Sequence, residues 1–212
     1  MVLSWSSDGK SLALTAYDNT IRVWNHVNGD RSQKLTAGNG TCLSWCHNGD
    51  YIASGWDDEA LRVWEVGSAD IHCCLHEPDL PKVLCLSWKT AGEEFASAHV
   101  DQTLRIWNTT GWLKTLYHNT PNTSCLSWAP GGDRIAIASD DDNVEFWDVA
   151  EDDICLKCRN SFWDSDAATS WGIDQSKIIS VSGEGMIQAW DVRSGLQKGP
   201  SKMLVRNVCC VC

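Results

Sequence analysis

Short runs in which apolar and polar residues alternate recur along the chain, each closed by a turn signal. Leu3 to Trp5 alternates and stops at Asp8-Gly9, Leu12 to Ala16 follows and stops at Asp18-Asn19, and Ile21 to Trp24 comes third. A period of two marks a strand with one buried face, and Gly, Asn and Asp supply the backbone angles that tight hairpins need. The same order returns with Asn48-Gly49 and Asp58-Glu59 as turns, and again with Gly131-Gly132 and Asp141-Asp142. A fourth run, such as Arg31 to Leu35 or Trp112 to Leu116, completes a unit. The pattern predicts an all-β chain of four-stranded antiparallel sheets.

The tryptophans frame these units. Leu-Ser-Trp occurs at Leu3-Ser4-Trp5, Leu43-Ser44-Trp45, Leu86-Ser87-Trp88 and Leu126-Ser127-Trp128, with a weaker copy at Thr169-Ser170-Trp171. Each is answered nineteen residues later, by Trp24, Trp64, Trp107, Trp147 and Trp190. Successive copies lie alternately 40 and 43 residues apart, and the extra three residues fall after the second tryptophan, so length varies in one loop only. A single sheet of this kind cannot bury both apolar faces. Radial stacking of neighbours, a β-propeller of five four-stranded antiparallel blades, is the predicted solution. A buried tryptophan removes ~150–250 Å² from water and contributes about 4–6 kcal/mol gross, so the ten repeated tryptophans are expected in the core.

These motifs resemble the WD-repeat family over almost the whole length. Asp58-Glu59-Ala60-Leu61-Arg62-Val63-Trp64 is similar to the family's turn and third strand, and Trp147-Asp148 and Trp190-Asp191 keep its name-giving dipeptide. Trp24-Asn25, Trp64-Glu65 and Trp107-Asn108 depart at the second residue. The resemblance implies a buried hydrogen-bonded tetrad of His, Ser or Thr, Asp and Trp in each blade. The third copy supplies it in full as His76, Ser97, Asp101 and Trp107. The second has Ser54, Asp58 and Trp64, and the fourth has His118, Asp141 and Trp147 with Ile137 in place of the hydroxyl. The first keeps Asp18 and Trp24 around Leu14, and the fifth has Ser180 and Trp190 with Glu184 for the Asp.

The resemblance also implies a partner-binding face at the turns before those aspartates, where Tyr17, Trp56, Asp57, His99, Val100 and Asp140 are expected to be exposed. Trp56 is the sharpest candidate, because exposed aromatics are favoured interface anchors. Trp112 and Trp163 also lie outside the repeated positions, and Trp112, in a predicted fourth strand, is expected to be covered. Trp190-Asp191-Val192-Arg193 is similar to the extended WD box of substrate receptors on cullin-RING ubiquitin ligases, which implies an adaptor contact through Asp191 and Arg193.

Composition narrows the function. A formal net charge of −11 argues against nucleic acid, whose backbone is held mainly by Lys and Arg. Asp140-Asp141-Asp142 and Glu151-Asp152-Asp153 suit solvated loops or a basic protein partner. Eleven cysteines occur without a secretion signal, and Cys42, Cys85 and Cys125 recur three residues before a tryptophan, so reduced, buried thiols are expected. Cys155 and Cys158 have the spacing of half a zinc site, but a closed site needs two further ligands, and no metal is expected. Cys209-Cys210-Val211-Cys212 formally resembles a prenylation box, yet falls where the period would begin a sixth first strand.

The expected domain is a WD-repeat propeller over about 1–208, with repeats at about 1–36, 37–77, 78–118, 119–160 and 161–205, then a tail or truncated sixth repeat at 209–212. The strand count favours an open arc of a larger propeller over a closed five-bladed disc. The expected function is a scaffold for protein–protein interaction in a multi-subunit complex of the cytoplasm or nucleus. No catalysis, cofactor, nucleic acid or membrane is implied, since the chain carries no phosphate-cradling glycine loop and no nucleophile elbow. The alternative is a cullin-RING substrate receptor.

Overall fold

Five four-stranded antiparallel sheets follow one another, each with its strands paired in chain order. The computed structural model describes residues 2–16, 18, 20–27, 33–36, 40–56, 58–75, 80–117, 123–139, 143–159, 168–171, 176–181, 186–194, 196 and 202–203. The first sheet is β1 (Leu3–Trp5), β2 (Ser11–Ala16), β3 (Thr20–Asn25) and β4 (Gln33–Thr36). The second is β5 (Gly40–Trp45), β6 (Tyr51–Trp56), β7 (Leu61–Glu65) and β8 (Asp70–Leu75). The third is β9 (Val83–Trp88), β10 (Glu94–His99), β11 (Thr103–Asn108) and β12 (Gly111–Tyr117). The fourth is β13 (Thr123–Trp128), β14 (Arg134–Ser139), β15 (Asn143–Asp148) and β16 (Asp153–Arg159), and the fifth is β17 (Ala168–Trp171), β18 (Lys177–Val181), β19 (Met186–Asp191) and β20 (Lys202–Met203). No helix occurs among the described residues, and none is therefore long and apolar enough to cross a membrane. Val208 to Cys212 and Trp163 lie outside them.

The chain divides into two compact units, Met1–Tyr117 with the first three sheets and His118–Cys212 with the last two. Inside each unit the sheets are sided. Register places Trp45, Ile52 and Trp64 in one row across β5, β6 and β7, and this row is buried with Ala13, Ile21, Val23 and Leu35 of the preceding sheet. The row Trp88, Phe95, Trp107 is likewise buried with Ala53, Leu61 and Val63 of the second sheet. In the other unit, Trp171, Ile178 and Trp190 pack with Ala136, Val144 and Phe146. A wide aromatic row thus fills the space above a row that in the first two sheets is narrow, Ala and Val, which brings the sheets close without voids.

The serine of the Leu-Ser-Trp motif fastens one sheet to the next. Ser4 Oγ accepts the Trp45 backbone N–H at 3.3 Å, and Ser44 Oγ accepts that of Trp88 at 3.3 Å. Indole N–H groups add to this, from Trp88 to Ser44 O at 2.9 Å and from Trp171 to Ser127 O at 3.0 Å. Cys42 is buried and Cys85 and Cys125 are half-buried in first strands, and Cys125 Sγ accepts the Thr169 N–H at 3.4 Å across the fourth and fifth sheets. Gly55 allows the third sheet its approach, since a Cβ there would lie 2.7 Å from Cys42 Sγ and 2.9 Å from Val83 Cβ.

Sidedness corrects one expectation. Trp5 and Trp24 are 44% and 42% exposed, because their row looks to the side where a preceding sheet would lie, and within the unit the first sheet is covered only on its other face. Two of the ten repeated tryptophans therefore do not lie in the core.

Candidate interaction surface

Burying an indole removes its N–H from water, so an acceptor must be built beneath it. In the second sheet that acceptor is Ser54 on β6. Its Oγ takes the N–H of Trp64 at 2.8 Å and the N–H of Trp56 at 2.8 Å, and donates its own proton to Arg62 O at 3.3 Å. One donor and two lone pairs are then fully used. Trp56 is 1% exposed, not the open anchor the turn position suggested. Two residues from Ser54, it shares that residue's face, and burial of its ring together with its bond to Ser54 turns it inward. The Arg62 guanidinium lies 5.5 Å from its ring centroid.

The third sheet solves the same problem with a histidine. Ser97 Oγ accepts the Trp107 N–H at 2.7 Å and meets His99 Nε2 at 2.7 Å, while His99 Nδ1 lies 2.8 Å from Pro81 O. A carbonyl can only accept, so Nδ1 carries the ring proton and Nε2 takes the hydroxyl hydrogen of Ser97. His99 was expected on the exposed face and is buried instead, again two residues beyond the hydroxyl. Ser97 and His99 stand in the relation of nucleophile and base, but both are closed to solvent and the serine oxygen is already engaged. The pair is a lock.

The aspartates expected in the tetrad face outward. Asp58 pairs with Arg62, with its Oδ2 2.5 Å from Nη2, and accepts the Ala60 N–H. Asp101 accepts the Thr103 N–H at 3.1 Å and hydroxyl at 2.7 Å and lies 3.7 Å from Arg105. Asp18 takes the Thr20 hydroxyl at 2.6 Å and pairs with Arg22 at 2.8 Å. The Thr20 hydroxyl and then Arg22 lower the Asp18 carboxyl to about 2, and Arg62 lowers that of Asp58. Each carboxylate ties the turn between second and third strands, where Glu59 and Gln102 adopt left-handed backbone angles of 61° and 65°. Trp190 reaches Ser180 at 2.9 Å, and Trp147 is buried although Ile137 stands in the hydroxyl's place of its sheet. His76, His118 and Asp141 of the tetrads lie outside the described residues, as do Tyr17, Asp57, Asp140 and Glu184.

The residue after the third-strand tryptophan caps the next turn. Asp191 Oδ1 accepts the N–H groups of Arg193 and Ser194, Asp148 Oδ1 those of Ala150 and Glu151, and Asn108 Oδ1 those of Thr110 and Gly111. Asn and Asp share the required geometry, which explains why both occur there. Asp191 thus spends its carboxylate on the turn, and Arg193 is exposed.

Val100 is exposed at the turn surface as expected. A stronger apolar display stands on the outer strands. Opposite the third-strand tryptophan, β8, β12 and β16 each carry a bulge. Trp64 pairs with Ile71 and Val63 with Cys73, leaving His72 extra; Leu113 and Cys155 are extra in the same way beside Trp112 and Ile154. The bulge leaves Ile71, Trp112 and Ile154 exposed at one repeated position. On β12 the display continues, with Trp112 50% and Tyr117 78% exposed and Leu113 between them also open. Trp112 was expected to be covered; as an edge-strand residue at a bulge it has a neighbour on one side only.

A family profile described as "WD domain, G-beta repeat" matches residues 32–65, 70–108 and 112–148, slightly over half of the chain. A second, "Anaphase-promoting complex subunit 4 WD40 domain", matches residues 1–48. The chain is similar to the human F-box-like/WD repeat-containing protein TBL1Y, 31% identical over 70 residues, which is 32% of this chain and 13% of that protein. It is also similar to Protein HIR1 of Cryptococcus neoformans var. neoformans serotype D, 31% identical over 64 residues, 29% of this chain and 7% of that protein. The aligned stretch therefore spans a small part of either relative.

Proposed function

The chain belongs to the WD-repeat family, and from that premise we propose that it is a docking module for other proteins, working as a subunit of a larger assembly and performing no chemistry of its own. The carrying observation is the open aromatic surface of β12. Trp112, Leu113 and Tyr117 stand in water on a strand whose three inner neighbours are locked by buried indoles. A rigid strand presenting exposed aromatics loses little freedom on binding, and such residues are favoured anchors of protein interfaces. The thiols of Cys42, Cys46, Cys73, Cys74, Cys85, Cys125 and Cys155, none of them in a disulfide, support a reducing compartment, the cytoplasm or nucleus.

The test is affinity capture followed by direct binding of the recovered partner. Trp112→Ala combined with Tyr117→Ala is expected to weaken that partner about tenfold or more, roughly 1.4 kcal/mol, and to remove the protection from hydrogen exchange that the partner confers on β12. Undiminished binding, with β12 unprotected in the complex, refutes this surface.

One observation favours a second reading, a receptor subunit of a cullin-RING ubiquitin ligase. Arg193 stands exposed on a turn held by Asp191, and the human relative is itself named F-box-like. Binding to a purified cullin adaptor, lost on Arg193→Ala, would support it; no binding by the native chain ends it.

A further inference from the structure

Among the fourth strands of the sheets, β12 has the least defended edge. An edge strand offers its outer backbone N–H and C=O groups to any extended chain that arrives, and proteins blunt it with shortness, charge or proline. β4 has four residues and β20 two, and β16, as long as β12, carries Asp153, Lys157 and Arg159. β12 runs for seven residues with Lys114 as its single charge and no proline. It stands last in its sheet, and no described strand pairs with its outer edge. β8 is as lightly charged but exposes Ile71 alone among its large apolar residues, whereas β12 exposes Trp112, Leu113 and Tyr117.

Register lines these side chains up along that edge. Thr103, Arg105 and Trp107 alternate on β11 and pair with Tyr117, Thr115 and Trp112, so the three β12 residues share one face. The Trp112 indole N–H, donated to Thr115 Oγ1 at 3.2 Å, runs along the same stripe. Every one of these residues lies in the unit Met1–Tyr117. At the Trp112 end the surface turns acidic. Thr109, in the turn before β12, donates its hydroxyl to Glu93 Oε2 at 3.2 Å. Burial first, and then the charges of Glu65, Glu93 and Asp50, push the Tyr51 phenol up, which gathers three exposed carboxylates about one side chain.

Resting on the reading of β12 as the docking surface, we propose that an extended segment of another protein adds to β12 as a fifth strand of the third sheet. Its alternate apolar side chains lie beside Trp112, Thr115 and Tyr117, and a lysine or arginine beyond the Trp112 end meets Glu93. In strand addition the backbone hydrogen bonds supply affinity and the alternate side chains supply selectivity. Side chains directly opposite on neighbouring strands lie within about 5.5 Å, so a large apolar residue of the added strand covers the Trp112 or Tyr117 ring. The net charge of −11 favours a basic segment over a second, equally acidic copy of this chain.

The probe is a library of random dodecapeptides displayed on phage and selected on the full chain. Enriched peptides are expected to carry large apolar residues at every second position and a lysine or arginine at one end. A synthetic peptide of that kind should protect the β12 amides from hydrogen exchange. Methylating its backbone nitrogens at one alternate set of positions should abolish binding and at the other set leave it, because a strand turns only every second N–H toward a given neighbour. Trp112→Ala with Tyr117→Ala should weaken the peptide about tenfold or more, and Glu93→Gln about two- to fivefold at low salt. No enrichment, enrichment of acidic peptides or of helical spacing, equal tolerance of both methylated sets, or unchanged binding by Glu93→Gln each overturns the proposal. Should both methylated sets bind while the tryptophan and tyrosine variant still loses the peptide, β12 stays the docking surface and only strand addition fails. A peptide bound with β12 unprotected removes both readings. A mass of twice 23.5 kDa by light scattering, halved by Trp112→Ala, would give the edge to a second copy and also overturns the proposal.

Discussion

The second sheet lays its tryptophan row on a neighbour and holds two indoles on one hydroxyl, whereas the first carries the same row into open water with Leu14 in the hydroxyl's place. The difference shows what the serine is for. An indole in water finds its own acceptor, but a covered one requires an acceptor from the protein, and an unmet donor in the core costs about 1–3 kcal/mol. Between these two sheets hydroxyl and covered indole come and go together, while the fourth sheet covers Trp147 with Ile137 in the hydroxyl's place.

The largest expected effect lies in the tryptophans themselves. Trp64→Ala should lower unfolding stability by about 3–5 kcal/mol, since it empties a filled space and removes the ring packed edge-on against Trp56, while Trp24→Ala should cost less than about 1 kcal/mol. Chemical denaturation followed by circular dichroism measures both, and equal losses would break the comparison.

Next come the hydroxyls. Ser54→Ala leaves two donors facing each other with no acceptor and should cost about 2–4 kcal/mol. Ser97→Ala leaves a donor, the Trp107 N–H, and an acceptor, His99 Nε2, which can move toward each other, so about 1–2 kcal/mol is expected. A larger loss at Ser97 would show that the histidine is the more demanding partner.

The smallest effect is that of the turn carboxylates, which both sheets possess. Asp18 is held at about 2 by Thr20 and Arg22, below its ordinary value of 3.8. The folded form therefore binds its proton less readily than the unfolded chain. Its contribution is present above the unfolded value and fades as pH falls from about 4 toward about 2. Asp18→Asn should lower stability slightly at neutral pH and match the native chain near about pH 2. Asp58→Asn should do the same in the second sheet, where Arg62 lowers the carboxyl. A difference between Asp18→Asn and the native chain that persists unchanged into acid would show that the turn is held by something other than charge.

The strands and hairpins were legible because their signals are local. Alternation in Leu12 to Ala16 and the turn at Asp8-Gly9, with Gly9 at a backbone angle of 68°, lie within a few residues of what they specify, and the tryptophan spacing within one sheet. The inward turn of Trp56 and His99 was also within reach, since each follows a core serine by two residues and so shares its face. Their place before a turn aspartate suggested exposure instead. The sheet-joining role of Ser4, Ser44 and Ser127 was written in the Leu-Ser-Trp motif, but its partners lie 41 to 44 residues away, beyond any local pattern. Trp112 was misjudged because alternation does not mark an edge or a bulge.

What the amino-acid order determined by itself is which side chains share a face: Trp5 with Leu12 and Trp24, Trp45 with Ile52 and Trp64. Whether anything covers that face was decided only in three dimensions. Burial is a property of two surfaces brought together, so rows that differ only by Leu12 against Ile52 became a sealed core in the second sheet and exposed indoles in the first.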